Sequence, residues 1–175
     1  MMEDLSLHIL DIAENSVAAG ATRVRIAILE DAGRDILSIR VTDNGRGMTP
    51  EERRRALDPF FTTKGKRTGL GLPLLAQTAE SCGGRLTLGP APGGGTRVAV
   101  RFRRGHIDRP PLTKMAETLM TLFYGHPEVE FRFRHTLNGK SFSYSRRARV
   151  RSVAPREISE IRQALRDGLE GIGAS

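Results

Sequence analysis

Glycine divides this chain before any other residue type does. Thirteen of its 19 glycines lie ahead of residue 105, mostly in short groups at 45–47, 69–71, 83–84 and 93–95. Short apolar repeats run between the groups, so the glycines separate a succession of brief elements joined by tight turns. Leu5, Ile9, Ile12, Ala13 and Ser16 recur at helical spacing, which predicts a helix over 5–19 stopped by Gly20. His8, Asp11 and Asn15 fall on the opposite face, within roughly 60° of one another at about 100° per residue.

Val24, Ile26 and Ile28 alternate as a strand, 31–34 reads as a turn, and Leu37, Ile39 and Val41 alternate as the next strand. Asp43 shares the parity of those apolar residues, and an inward carboxylate at a strand end must find a donor. Thr49-Pro50-Glu51-Glu52 is a capping box that opens a short helix to about Leu57, ended by Asp58-Pro59. A helix over 72–82, stopped by Gly83-Gly84, precedes strands at 85–88 and 97–102. Three helices and four strands on short connections imply an α+β two-layer sandwich, with antiparallel pairing favoured by the hairpin spacing.

Beyond Arg104 the texture changes. Residues 106–111 read as a linker, 112–124 as a helix, 128–146 as a hairpin turning at Asn138-Gly139, and 156–170 as a final helix. The organisation expected is a domain over 1–104 and a small α+β C-terminal region over 105–175.

Lys and Arg number 28 against 20 Asp and Glu, a net charge of +8. The excess is +4 in each part, from 16 basic and 12 acidic residues up to 104 and 12 and 8 after it, so no single patch stands out. A nucleic-acid role for Arg146, Arg147, Arg149 and Arg151 is disfavoured, because few aromatic residues stand beside them for base stacking. The single cysteine, Cys82, rules out an internal disulfide and suits a reducing compartment. No apolar run approaches the ~18 residues of a membrane span, and acid precedes base at the N-terminus, so the expected location is the cytoplasm, without membrane.

Three features converge on a phosphate ligand. Thr68-Gly69-Leu70-Gly71 opens a helix whose free N–H groups and dipole favour an anion, with Lys64, Lys66 and Arg67 just before it. Asp43-Asn44-Gly45-Arg46-Gly47-Met48 is turn chemistry in its plainest reading. In the sharper reading, Asp43 accepts a hydrogen bond from a planar base whose ring lies against Gly47. The stripe of His8, Asp11 and Asn15 is either a solvated helix face or a set of oxygen ligands for a hard cation beside the phosphates.

Taken in order, residues 11–22, Asp43–Met48, Asp58–Lys64, Thr68–Leu72 and Gly93–Thr96 resemble the successive boxes of the GHKL ATP-binding superfamily. Its members include gyrase, histidine kinases, MutL mismatch-repair proteins and large heat-shock chaperones. The resemblance covers about residues 5–102. It implies the Bergerat fold, with ATP between the helices and a lid, and a cofactor pair of ATP and Mg²⁺.

By position, the resemblance implies Asn15 as the Mg²⁺ ligand and Asp43 as acceptor for the adenine amino group. Gly45 and Gly47 would line the base, and Thr96 would support the water network there. Thr68, Gly69, Leu70 and Gly71 would cradle phosphate, and Lys64 would lie in the lid. Where the family usually carries glutamate four residues before the asparagine, this chain has Asp11, one methylene shorter, as its candidate catalytic base. Glu14 points about 100° away from Asn15 on the helix and is a poor substitute. The Asp-Pro-Phe-Phe-Thr-Thr-Lys run resembles the histidine kinase branch, which implies a kinase-like module acting in trans on an unidentified protein partner. The alternative is a nucleotide-gated binding module without turnover.

Overall fold

The computed structural model describes residues 4–60, 71–149 and 154–174. The elements run α1 (Leu5–Ala18), β1 (Arg23–Asp31), β2 (Ile36–Asp43), α2 (Pro50–Ala56), α3 (Gly71–Ser81), β3 (Arg85–Pro90), β4 (Thr96–Arg103), α4 (Met115–Gly125), β5 (Glu130–Leu137), β6 (Lys140–Arg146) and α5 (Pro155–Ile172). The strands form one six-stranded sheet in the order β3-β4-β2-β1-β5-β6. Every pairing is antiparallel except β1 with β5, which is parallel. This is the two-layer α+β architecture of the Bergerat ATP-binding fold.

Alternation along the strands builds the core. Val24, Ile26 and Ile28 on β1, Leu37, Ile39 and Val41 on β2, Val98, Val100 and Phe102 on β4, and Phe131 and Phe133 on β5 are all buried. They meet Leu5, Ile9 and Ile12 of α1, Leu75 of α3, Leu119, Leu122 and Phe123 of α4 and Leu165 of α5. Burial of side chains this size stabilises by about 1.5–3 kcal/mol each relative to exposure.

The boundary expected near Arg104 falls at the end of β4. The residues beyond it add two strands to the same sheet and two helices to the same apolar cluster. Polar ties accompany the packing. The Asp4 carboxylate caps α1 by accepting from the Ser6 N–H at 2.9 Å, and it also accepts from the Thr113 N–H and hydroxyl at 2.9 and 2.7 Å. Glu30 on β1 is paired with His135 of β5 and Arg104, both at 3.0 Å. The hairpin turns at Asn138 and Gly139, both with positive φ, 48° and 85°. That is the type I′ chemistry for which Asn-Gly is suited.

The arginine run at the end of β6 is divided between roles. Arg146 is buried, with Nη1 donating to the Phe123 carbonyl at 2.5 Å and its guanidinium 5.8 Å from the Phe123 ring. It is a structural strut and offers no charge to a ligand. Arg149 pairs with Glu157. Arg151 lies outside the described residues. Among the described residues, no helix is long and apolar enough to cross a membrane.

Phe131→Ala on β5 should cost about 3–5 kcal/mol and lower hydrogen-exchange protection in β1 and β2 as well as in β5, because they share one core. Acid should also weaken the fold. Burial raises the Glu30 carboxyl, but the hydrogen bonds and charges of His135 and Arg104 outweigh it and hold the group below its usual 4.5. Burial likewise acts on Asp4 and is outweighed by Ser6 and Thr113, leaving it below 3.8. A depressed carboxylate contributes stability above its unfolded pKa and loses it as pH falls through the folded value. Urea midpoints should therefore fall as pH drops below about 4.5, and Glu30→Gln should flatten part of that dependence.

Candidate nucleotide site

The C-terminal end of β2 sets the site. Asp43 is its last residue, only 8% exposed, and its parity points the carboxylate to the helix side of the sheet. Oδ1 accepts from the Gly45 N–H at 2.9 Å and the Thr96 N–H at 3.1 Å, while Oδ2 accepts from the Ser16 hydroxyl at 2.7 Å. Three separate segments, α1, the turn after β2 and the start of β4, therefore converge on one carboxylate. A carboxylate oxygen has two lone pairs, so Oδ2 keeps one for a further donor. The buried acceptor expected from the sequence is thus fixed in place and has one acceptor position left.

The glycines around it are where backbone meets backbone. A Cβ on Gly45 would stand 2.8 Å from the Ala19 carbonyl, and one on Gly95 would stand 2.1 Å from the Asp43 carbonyl. Gly47 has φ +75° and faces the Gly95 carbonyl, where a Cβ would come within 3.2 Å. The turns at 43–48 and 91–96 therefore lie against each other with no room for side chains between them. Asn44 fixes the first turn from behind, its Oδ1 accepting from the Thr22 and Arg23 N–H groups at 3.0 and 2.8 Å.

On α1 the three polar residues differ in depth. His8 is buried, Asn15 half-buried and Asp11 exposed. Asn15 makes no side-chain hydrogen bond among the described residues, and it precedes Ser16, the residue bonded to Asp43. Asp11 lies against the start of α3, where a Cβ at position 71 would be 3.3 Å from its Oδ2. Glu14 is held elsewhere, its Oε2 2.8 Å from His126 Nε2. Asp43, Gly45, Gly47 and Thr96 thus gather around one corner with Ser16, whereas Asn15 lies one turn after Asp11 on another face of α1, and Asp11 meets Gly71 in a separate contact. Lys64, Thr68, Gly69 and Leu70 lie outside the described residues. Two clefts of about 240 and 340 Å³ lie between α4 and α5 and share no residue with this corner.

Ser16 and Gly95 are site residues that sequence reasoning does not single out. Ser16 reads as a small member of the apolar stripe, and the only hint is its place directly after Asn15. Thr96 contributes its backbone N–H to Asp43, which makes it a support of the acceptor.

Residues 3–106 match the family model described as histidine kinase-, DNA gyrase B- and HSP90-like ATPase. The chain belongs to that ATPase family. It is an ATP-binding module of the GHKL type. Among curated relatives, it is 40% identical over 75 residues to nitrogen regulation protein NtrY of Azorhizobium caulinodans, covering 43% of this chain and 10% of NtrY. It is 32% identical over 107 residues to sensor protein kinase CarS of Pseudomonas aeruginosa, covering 57% of this chain and 22% of CarS. The chain thus spans no more than about a fifth of these relatives' length. The Aquifex aeolicus MutL ATPase domain complexed with ADP shares the fold over 93% of this chain and 70% of its own, with TM-score 0.54 and 16% identity. That likeness extends the shared fold through the residues after Arg104.

The glycine contacts give a graded test. Gly95→Ala should destabilise by about 2 kcal/mol or more, since both φ +89° and the Asp43 carbonyl oppose a side chain. Gly93→Ala has a similar φ of +82° but open space, and should cost only about 1 kcal/mol. Urea denaturation of the two variants measures the difference.

Proposed function

We propose that this chain is a Mg-ATP-binding, kinase-like module that acts in trans on a protein partner. The observation that carries the reading is the Asp43 carboxylate, held by Ser16, Gly45 and Thr96 with one lone pair on Oδ2 left for an amino group. The base would lie against the glycine-lined contact of Gly45 and Gly47. Asn15, whose side chain has no hydrogen bond among the described residues, would offer an oxygen to Mg²⁺ at the phosphates. Bound Mg-ATP would supply the phosphoryl group and the charge neutralisation that such transfer needs. Gly71 and the residues just before it would donate backbone N–H groups to phosphate. The 32% identity to sensor protein kinase CarS within the matched segment favours the kinase branch. Cys82, buried and free, suits the reducing cytoplasm in which we place the protein.

One observation favours a second reading, a nucleotide-gated binding module without turnover. Asp11 is one methylene shorter than glutamate, and its carboxylate lies beside Gly71 at the start of α3.

Calorimetry with Mg-ATP tests the site. Asp43→Ala and Asn15→Ala should each weaken binding at least about 100-fold, the loss expected when a buried or charged acceptor is removed. Retained affinity in both would overturn the assignment. Incubation with γ-labelled ATP and cell extract separates the two readings. A labelled partner that disappears with Asp43→Ala supports transfer, whereas nucleotide-dependent partner capture with no label and no phosphate release supports gating.

A further inference from the structure

The alternation that buries one face of the sheet also decides what the other face carries. Arg25, Arg40, Arg85, Arg97, Arg101 and Arg134 are exposed on that open face, and none is ion-paired among the described residues. Three further arginines share the face and are ion-paired there: Arg23 and Arg132 share the single charge of Glu130 at 3.2 and 2.5 Å, and Arg103 pairs with Asp35 at 2.7 Å. The basic excess is evenly divided along the chain, yet in the fold these six arginines, with no ion pair among the described residues, come together on one side of the sheet.

Register turns these residues into a grid. One cross-strand row reads Arg97, Thr42, Arg25, Arg132, and the next reads Ala99, Arg40, Ala27, Arg134. In the third, Arg85 lies opposite Arg101, which faces Ser38. Strands stand about 4.8 Å apart and same-face residues about 6.7 Å apart along a strand, so cations recur every ~5–10 Å across the sheet. The side chains between them are Ala, Ser and Thr, short enough to leave the guanidinium groups clear of their neighbours.

The partner is marked by what the face lacks. Every aromatic ring on the described strands, including Phe142 opposite His135 and Tyr144 opposite Phe133, is on the helix side. There is no platform for stacking unpaired bases, as single-strand recognition requires. Leu29 is exposed singly beyond Ser38, so the face has no central cluster of aromatic or large aliphatic anchors of the kind that dominates protein interfaces. Nor does it carry an aromatic belt for a bilayer headgroup layer. Fixed guanidinium groups on rigid strands match phosphate oxygens in a regular array. We infer that the open sheet face binds the phosphate backbone of duplex nucleic acid without reading its sequence. The residues concerned are distinct from the 146–151 run, and the surface is on the opposite side of the sheet from Asp43.

The test is fluorescence anisotropy of the full chain with a labelled duplex of random sequence. With about five phosphates contacted, log affinity should fall against log salt with a slope of about −4.5. Changing the sequence should alter affinity less than about 3-fold, as phosphate contacts carry no sequence information. Arg25→Gln, Arg40→Gln, Arg97→Gln and Arg101→Gln together should reduce the slope by about 3–4 and weaken binding at least about 100-fold at 0.1 M salt. Arg54→Gln, Arg156→Gln, Arg162→Gln and Arg166→Gln remove the same charge elsewhere and should change the slope by less than about 1. Should the fourfold face variant fail to fold, Arg40→Gln and Arg97→Gln singly should each reduce the slope by about 1. Three outcomes would overturn the inference: no duplex binding at about 50 mM salt, equal loss from both variant sets, or tighter binding to polyglutamate or to phosphatidylserine vesicles than to duplex.

Discussion

One carboxylate organises the end of the sheet where β2 closes. Asp43 stands buried at the end of a central strand, and its charge is tolerable there only because three donors from three segments reach it. Meeting that requirement brings α1, the turn after β2 and the start of β4 to one point. The glycines at 45, 47 and 95 are consequences of the same demand, since a side chain at 45 or 95 would collide with the backbone that brings the donors in. Removing one donor would leave the other two to hold a less satisfied charge. The corner is therefore better regarded as one unit than as separate residues.

The second organising contact lies at the other end of β1. Glu30, His135 and Arg104 tie β1, β5 and the residue after β4 together, and the Glu30 carbonyl accepts from the Asn138 N–H at 2.9 Å. Asp4 does similar work between α1 and Thr113. These polar ties and the shared apolar cluster make the last seventy residues part of the fold that carries the Asp43 corner. The helix that supplies Ser16 to the corner is also tied to α4, since Glu14 of α1 is bonded to His126 just after α4.

Much of this architecture is legible in the residues themselves, for a physical reason. Period-two alternation in β1, β2 and β4 and helical spacing in α1 and α3 are local signals, and the structure reproduces those elements to within about two residues. The buried parity of Asp43 is legible for the same reason. Non-local pairing is not. Nothing in 130–137 says that it runs parallel to β1, which is why the C-terminal region reads as an appendage. Arg146 reads as a surface charge because no local rule buries an arginine; the Phe123 carbonyl and ring that receive it are 23 residues away. The parity of Arg25, Arg40, Arg97 and Arg101 is equally visible, but their convergence on one face depends on the strand order.

The parallel pairing of β1 with β5 carries a consequence for how the chain is made. Arg23 is matched to Glu130, 107 residues later, so β1 has one neighbour early and the other only after about a hundred more residues have been made. At roughly 5–20 residues per second, that strand waits on the order of 5–20 s with one edge unpaired. During that interval its apolar residues and free backbone groups form an edge open to wrong partners. The exposed arginines that alternate with those residues keep that waiting edge charged, and like charge on neighbouring nascent chains holds such edges apart.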